Sequence, residues 1–304
     1  KGDNKMIEKY VYHFSPDNEP VKKVERGETV VFKTLDCFSN QIKSEEQLIT
    51  AIDFDRVNPA TGPVYVEGAE VGDVLVVDIE DIKVAKAGIA STLPDTGPLF
   101  HKVEGLRTKI LPIKDGKVIF NDIEFPANPM VGVIGVAPKE GKVPCGFPGS
   151  HGGNMDCNKI VKGSRVYFPV RTPGALFQLG DLHASMGDGE ICGTGIEIAG
   201  EVTVKLDVAK DIALEWPVLE TPDMWYVIAS DDKFETALKY ACEQMQLLIN
   251  KAYDWDMTDV YLYMSVNGSF EICQGCKPSG FPTVVRFGVP KIETKPELIS
   301  LSNK

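Results

Sequence analysis

The sequence predicts a mainly β protein, a β-sandwich of jelly-roll-like architecture with a few helices. Three observations carry this expectation. Short β-branched or aromatic runs bounded by Gly, Pro, Asn and Asp recur along most of the chain. Only one segment shows sustained helical periodicity. No strand–helix alternation of the βαβ kind occurs and no Gly-rich phosphate loop follows a strand, so neither a parallel sheet nor nucleotide binding is expected.

The elements follow in chain order. "TVVFKTLD" (29–36), "VLVVDIEDIKV" (74–84), "MVGVIGVAP" (130–138) and "RVYFPV" (165–170) read as strands. So do "GALFQLGDLH" (174–183), "GIEIAGEVTVKLDV" (195–208), "MWYVIAS" (224–230), "VYLYMSV" (260–266) and "TVVRFGVP" (283–290). In "EVTVKLDV" the apolar residues alternate strictly, the period of a strand with one buried face. A weak helix is expected over "SEEQLITAI" (44–52). The long helix is expected over 232–253, where Phe234, Leu238, Ala241, Met245, Leu248, Ile249 and Ala252 recur every three to four positions. Asp232 followed by Glu235 has the form of a capping box at its start. All 304 residues are read as one domain, subdivisible into a sandwich core over 1–210 and a helix with strands over 211–304.

Charge and cysteine usage narrow the function. Forty-four acidic residues against 32 basic give a net charge of −12. Nucleic acid and anionic membranes both need basic surface, so neither is an expected partner. No apolar run approaches the roughly 20 residues of a membrane span, and no signal peptide is visible. Seven scattered cysteines are too few for a disulfide scaffold and read as reduced thiols, so a cytoplasmic location is expected. Cys273 and Cys276 form a CxxC without the second pair a zinc ribbon needs, and read as thiols flanking a turn.

One stretch concentrates chemistry. "GDLHASMGDGE" (180–190) packs Asp181, His183, Asp188 and Glu190 into eleven positions. A hairpin with a four-residue loop, Ala184 to Gly187, would set His183 opposite Asp188 and Asp181 opposite Glu190, all on one face. Carboxylates that close cannot all stay ionised cheaply, and a divalent cation removes the repulsion. Oxygen and imidazole ligands fit zinc; a structural calcium site and a plain polar turn are the other readings. "GFPGSHGGNMDCNKI" (146–160) is the second candidate. There Gly152 and Gly153 allow close backbone approach, Asn154 could donate to a substrate oxygen, and Asp156 adds a carboxylate; a simple turn is the alternative. Asp36, ending its strand, is either a ligand or a solvated strand end.

The run from Gly149 to Ile198, together with "NPATGPVYVEGAEVGDVLVVDI" (58–79) and "PMVGVIGVAP" (129–138), resembles the acetamidase/formamidase family. The likeness is dense over about residues 55–208. It implies hydrolysis of short aliphatic amides to a carboxylate and ammonia, a β-rich sandwich-based fold, a bound divalent metal and a homodimer. The family's Asp-x-His and Gly-Asp-Gly-Glu fall on Asp181, His183, Asp188 and Glu190, and its Gly-Gly-Asn-x-Asp on Gly152, Gly153, Asn154 and Asp156. Where the family commonly has Gln, this chain has Met186.

The expected mechanism uses a metal-activated water, since no Gly-x-Ser-x-Gly elbow or Cys/His arrangement is present. Asp36, Asp181 and His183 are the expected ligands, with Asp156 and Asp188 as further ligands or their orienters. Glu190 is the expected general base, and Asn154 assists the oxyanion. Gly152, Gly153 and Met186 are expected to line the substrate pocket. Zinc is the expected ion, with calcium as an additional or alternative one. The rival reading is a metal-stabilised sandwich that binds a ligand without turnover.

Overall fold

The computed structural model describes residues 6–301. Its architecture is mainly β, as the alternating runs imply. One large sheet of twelve strands centres on Phe177–His183, which pairs with Met130–Gly135 on one side. On its other side the same strand pairs first with Ala60–Val66 and then with Glu197–Ile198. The second sheet has eight antiparallel strands, with Val74–Val84 between Arg165–Pro169 and Gly200–Ala209.

The two sheets face each other across a shared apolar core. Phe32 and Phe168 of the eight-stranded sheet both pack against Phe177 of the twelve-stranded one, Phe32 edge-on at 5.6 Å between ring centres. The strictly alternating "EVTVKLDV" explains its place: Val202, Val204, Leu206 and Val208 are buried while the residues between them are half-exposed. Strands from both sides of residue 210 share the eight-stranded sheet, because Val218–Glu220 pairs with Arg165–Pro169.

Two α-helices cover the outer face of that sheet. The first, α1 (Phe234–Tyr253), buries the expected Ala241, Met245, Leu248 and Ile249 together with Ala237, whereas Phe234 is exposed and Leu238 and Ala252 are half-buried. Its start differs from the expected capping box. Lys233 occupies the N-cap without a side-chain bond, and Asp231, not Asp232, accepts from the Lys233 N–H (2.9 Å). The second helix, α2 (Met257–Asn267), replaces the strand expected over 260–266. The cause is local: the Asp256 side chain accepts from the N–H groups of Thr258 and Asp259, and this cap outweighs the β-prone composition. Val260 and Met264, one helical turn apart, form its buried face. The weak helix expected over 44–52 shrinks to a 3₁₀ turn at Ile49–Ala51.

Candidate active site and its carboxylate cluster

The central strand delivers the first residues of the site. Asp181 and His183 lie near its C-terminal end, and both are buried. Their hairpin partner differs from the expected one. His183 lies opposite Glu197 and Leu182 opposite Ile198, so the connecting loop runs from 184 to 196, not 184 to 187. Backbone pairing of this loop with another segment makes the long connection affordable: the Gly189 N–H bonds the Cys273 carbonyl (3.1 Å), and the Gly275 N–H bonds the Gly189 carbonyl (2.8 Å).

Asp188 therefore does not face His183. It accepts a bidentate pair from Arg286 Nη1 and Nη2 (2.9 and 2.8 Å). Arg286 is fully buried, also binds Glu271 (3.0 Å), and anchors the loop to the eight-stranded sheet. Two residues further on, Glu190 is thereby carried into the interior.

Asp156 arrives from the neighbouring strand, Gly152–Asn154, which pairs with Met130–Gly135. Gly132 explains how Asp156 and Asp181 fit together. A Cβ at position 132 would lie 2.5 Å from Asp156 Oδ1 and 2.7 Å from Asp181 Oδ2. Three of the site carboxylates also hold the left-handed backbone region, with φ of 43° at Asp156, 52° at Asp181 and 43° at Glu190. Such a conformation costs a non-glycine residue roughly 1–3 kcal/mol and clusters where function demands it.

Four carboxylates thus converge on one imidazole. From His183 Nε2 the distances are 2.7 Å to Glu197 Oε2, 3.3 Å to Asp181 Oδ1, and 3.8 Å to both Asp156 Oδ1 and Glu190 Oε2. None of these five atoms satisfies a hydrogen bond. Their separations scatter about the roughly 3.3 Å expected between ligands 2.0–2.1 Å from a tetrahedral ion. With Cys37 added, these residues form two groups able to share a cation, Asp156–His183–Glu190 and Cys37–Asp181–Glu197.

Electrostatics follow from burial. Burial, reinforced by the charge of Asp181, pushes the Asp156 carboxyl up to about 7 and that of Glu197 up to about 8. Burial and then Asp156 raise Glu190 well above the carboxylate range. Burial alone would discharge His183, but the carboxylates of Glu197 and Asp181 overcome it and hold its proton more tightly than usual. A divalent cation would reverse this logic by neutralising the cluster directly.

A cavity of about 350 Å³ opens onto the cluster. Asn154, Asp156, Asp181, Glu190, Glu197 and Gln274 supply its polar wall, while Phe38, Leu93, Phe147 and Phe281 supply apolar surface. Several expected residues stand elsewhere. Asp36 is outside both ligand groups; its Oδ1 accepts from the N–H groups of Phe38 (2.9 Å) and Asn40 (2.8 Å), shaping the turn that brings Cys37 to the cavity. Gly152 and Gly153 do not line the cavity; their open faces meet the Ile134 and Phe147 carbonyls. Met186 is buried beside Gly195, away from the cavity lining. Asn154 lines the cavity with its polarity reversed from the expected donor: Nδ2 is committed to the Gly146 carbonyl (3.0 Å), leaving Oδ1 free.

Glu197, Cys37 and Gln274, which the structure places at the cluster or its cavity, do not stand out in the sequence. Glu197 carried one signal, a lone carboxylate between Ile196 and Ile198 in a strand. Gln274 sits inside the CxxC motif, where attention falls on the thiols.

The sequence pattern of the Acetamidase/Formamidase family matches residues 3–144 and 142–269. The chain belongs to the acetamidase/formamidase family. Two solved members overlay it closely. A predicted acetamidase/formamidase of the thermophile Thermoanaerobacter tengcongensis is 44% identical, with a TM-score of 0.90 over 94% of this chain and 95% of that one. An acetamidase of Bacillus halodurans is 40% identical, with a TM-score of 0.90 over 94% of this chain and 97% of that one. A formamidase of Methylophilus methylotrophus is 30% identical across 64% of this chain and 63% of its own length. The chain thus spans somewhat less than two thirds of that curated relative.

Proposed function

We propose that this acetamidase/formamidase family member hydrolyses short aliphatic amides to a carboxylate and ammonia at the carboxylate cluster. One observation carries the reading: four buried carboxylates and an imidazole turn unpartnered atoms towards one another beside a small cavity. Unpaired buried charge is costly, and a set of oxygen donors with one imidazole fits a divalent cation. Asp181, His183, Glu197 and Asp156 would hold it, with zinc favoured by the imidazole. Such an ion, when bound, polarises a carbonyl and makes water more acidic.

The protein's own groups do the remainder. Glu190 Oε2, unpartnered beside the cluster, takes a proton from water as its oxygen adds to the substrate carbonyl carbon. The C–N bond then breaks, and Glu190 returns the proton to the departing nitrogen. The apolar wall of Phe38, Leu93, Phe147 and Phe281 receives the acyl group.

Asp36 supports the site by shaping its turn, and Asp188 by anchoring the loop through Arg286. We read the chain as one domain, because strands from both sides of residue 210 share a sheet. A homodimer is supported by the apolar surface that α2 exposes at Tyr261, Leu262 and Val266. Seven free thiols support a reducing, cytoplasmic setting. Among the described residues no helix is long and apolar enough to cross a membrane. The test is metal content after purification: Asp181→Asn and His183→Ala should each lose the ion with the β fold intact. Full metal content in both variants would remove the ion from this cluster.

A further inference from the structure

A buried carboxamide ordinarily finds partners for its oxygen as well as its nitrogen. Two carboxamides at the cavity do not. Gln274, at the end of the strand Ser269–Gln274, donates from Nε2 to Asp156 Oδ2 (2.8 Å) and to Glu190 Oε1 (3.2 Å). Asn154 donates from Nδ2 to the Gly146 carbonyl. Turning either amide over would set oxygen against oxygen, so neighbouring acceptors fix both orientations. What remains is a pair of acceptors, Gln274 Oε1 and Asn154 Oδ1, each buried, each without a partner, and both belonging to residues that line the cavity.

We infer that these two oxygens receive the N–H groups of the substrate's unsubstituted –NH₂, making Gln274 and Asn154 the residues that select a primary amide over the corresponding ester. The inference rests on the amide hydrolysis proposed above and names what recognises the leaving group. A primary amide offers two N–H donors and satisfies both oxygens. An ester of the same shape offers none and turns a lone pair towards an acceptor, leaving buried polar groups unpaired. Gln274 has a second effect through its other end: it ties Asp156 and Glu190 together, fixing the general base against the nitrogen that must be protonated.

The experiment compares kcat/KM for acetamide and methyl acetate in the wild type, Gln274→Met and Asn154→Leu. Loosening of the shared machinery slows both substrates and cancels in the amide-to-ester ratio. That ratio should fall about 5- to 150-fold in Gln274→Met and in Asn154→Leu, the worth of one buried hydrogen bond. Ratios unchanged in the Met and Leu variants would overturn the inference. A wild-type protein that turned over neither compound would instead refute amide hydrolysis itself.

Discussion

Gly132→Ala adds one methyl group to the strand Met130–Gly135, yet it should disable the site. The new Cβ would lie 2.5 Å from Asp156 Oδ1, 2.7 Å from Asp181 Oδ2 and 2.7 Å from the Asp181 carbonyl, where ordinary contact begins at 3.4 Å. To restore contact, the Asp156 oxygen must retreat by about 0.9 Å and the Asp181 oxygens by about 0.7 Å. Metal–ligand distances tolerate only about 0.2 Å. Both carboxylates are buried among fixed neighbours, and both already occupy a strained backbone region. Overpacking of this kind costs roughly 1–3 kcal/mol of stability. Displaced ligands should weaken metal binding by at least the 10–100-fold typical of disturbed supporting contacts. Chelator competition reads the affinity, and urea unfolding of the metal-free variant reads the packing cost. Wild-type metal affinity in a folded Gly132→Ala protein would show that Asp156 and Asp181 are not held as ligands by this arrangement.

Three further outcomes follow from the same geometry. Glu190→Gln should retain the fold and bound metal but lower kcat by about 10² to 10⁴, the usual worth of a general acid–base group; near-wild-type turnover would take Glu190 out of proton transfer. Met186→Gln should leave the kcat/KM series from formamide to butyramide unchanged, because Met186 is not part of the cavity wall; an altered series would place it there. The metal-free protein should lose stability as pH rises. Asp156 and Glu197 bind protons more tightly folded than unfolded, so their contribution is complete below about pH 4 and is lost as pH climbs through about 7 to 8. Glu190 and His183 are shifted in the same direction. Thermal melts from pH 5 to 8 should show this decline, reduced by saturating divalent metal, and a metal-free protein that gained stability over that range would contradict the shifts.

How far the sequence disclosed all this depended on whether a feature was local. Strand periodicity is local, so the two sheets and α1 were readable from apolar spacing. The β-branched and aromatic run at 260–266 misled because a single cap at Asp256 decides its conformation. Asp181, His183, Asp156 and Glu190 stood out as carboxylates and an imidazole among glycines, and the structure brings these four together. The register of the hairpin was not legible, since a loop of four residues and one of thirteen look alike without the long-range pairing of Gly189 with the segment around Gln274. This register sets Glu197, not Asp188, opposite His183. At Asp36 the sequence likewise shows the carboxylate but not the turn that occupies its Oδ1 and presents Cys37. Gln274 lies 118 positions from Asp156, and only folding places its amide between two acids.

The proposed amide hydrolysis at this cluster needs a divalent ion in place. Ammonia release from acetamide, measured on one preparation as purified, after chelation and dialysis, and after stepwise return of zinc, tests it most directly. Turnover should disappear with the metal and return in proportion to zinc bound, with Asp181→Asn inert throughout. Equal ammonia release before and after complete removal of the metal, or none at any stage in fully loaded protein, would contradict it.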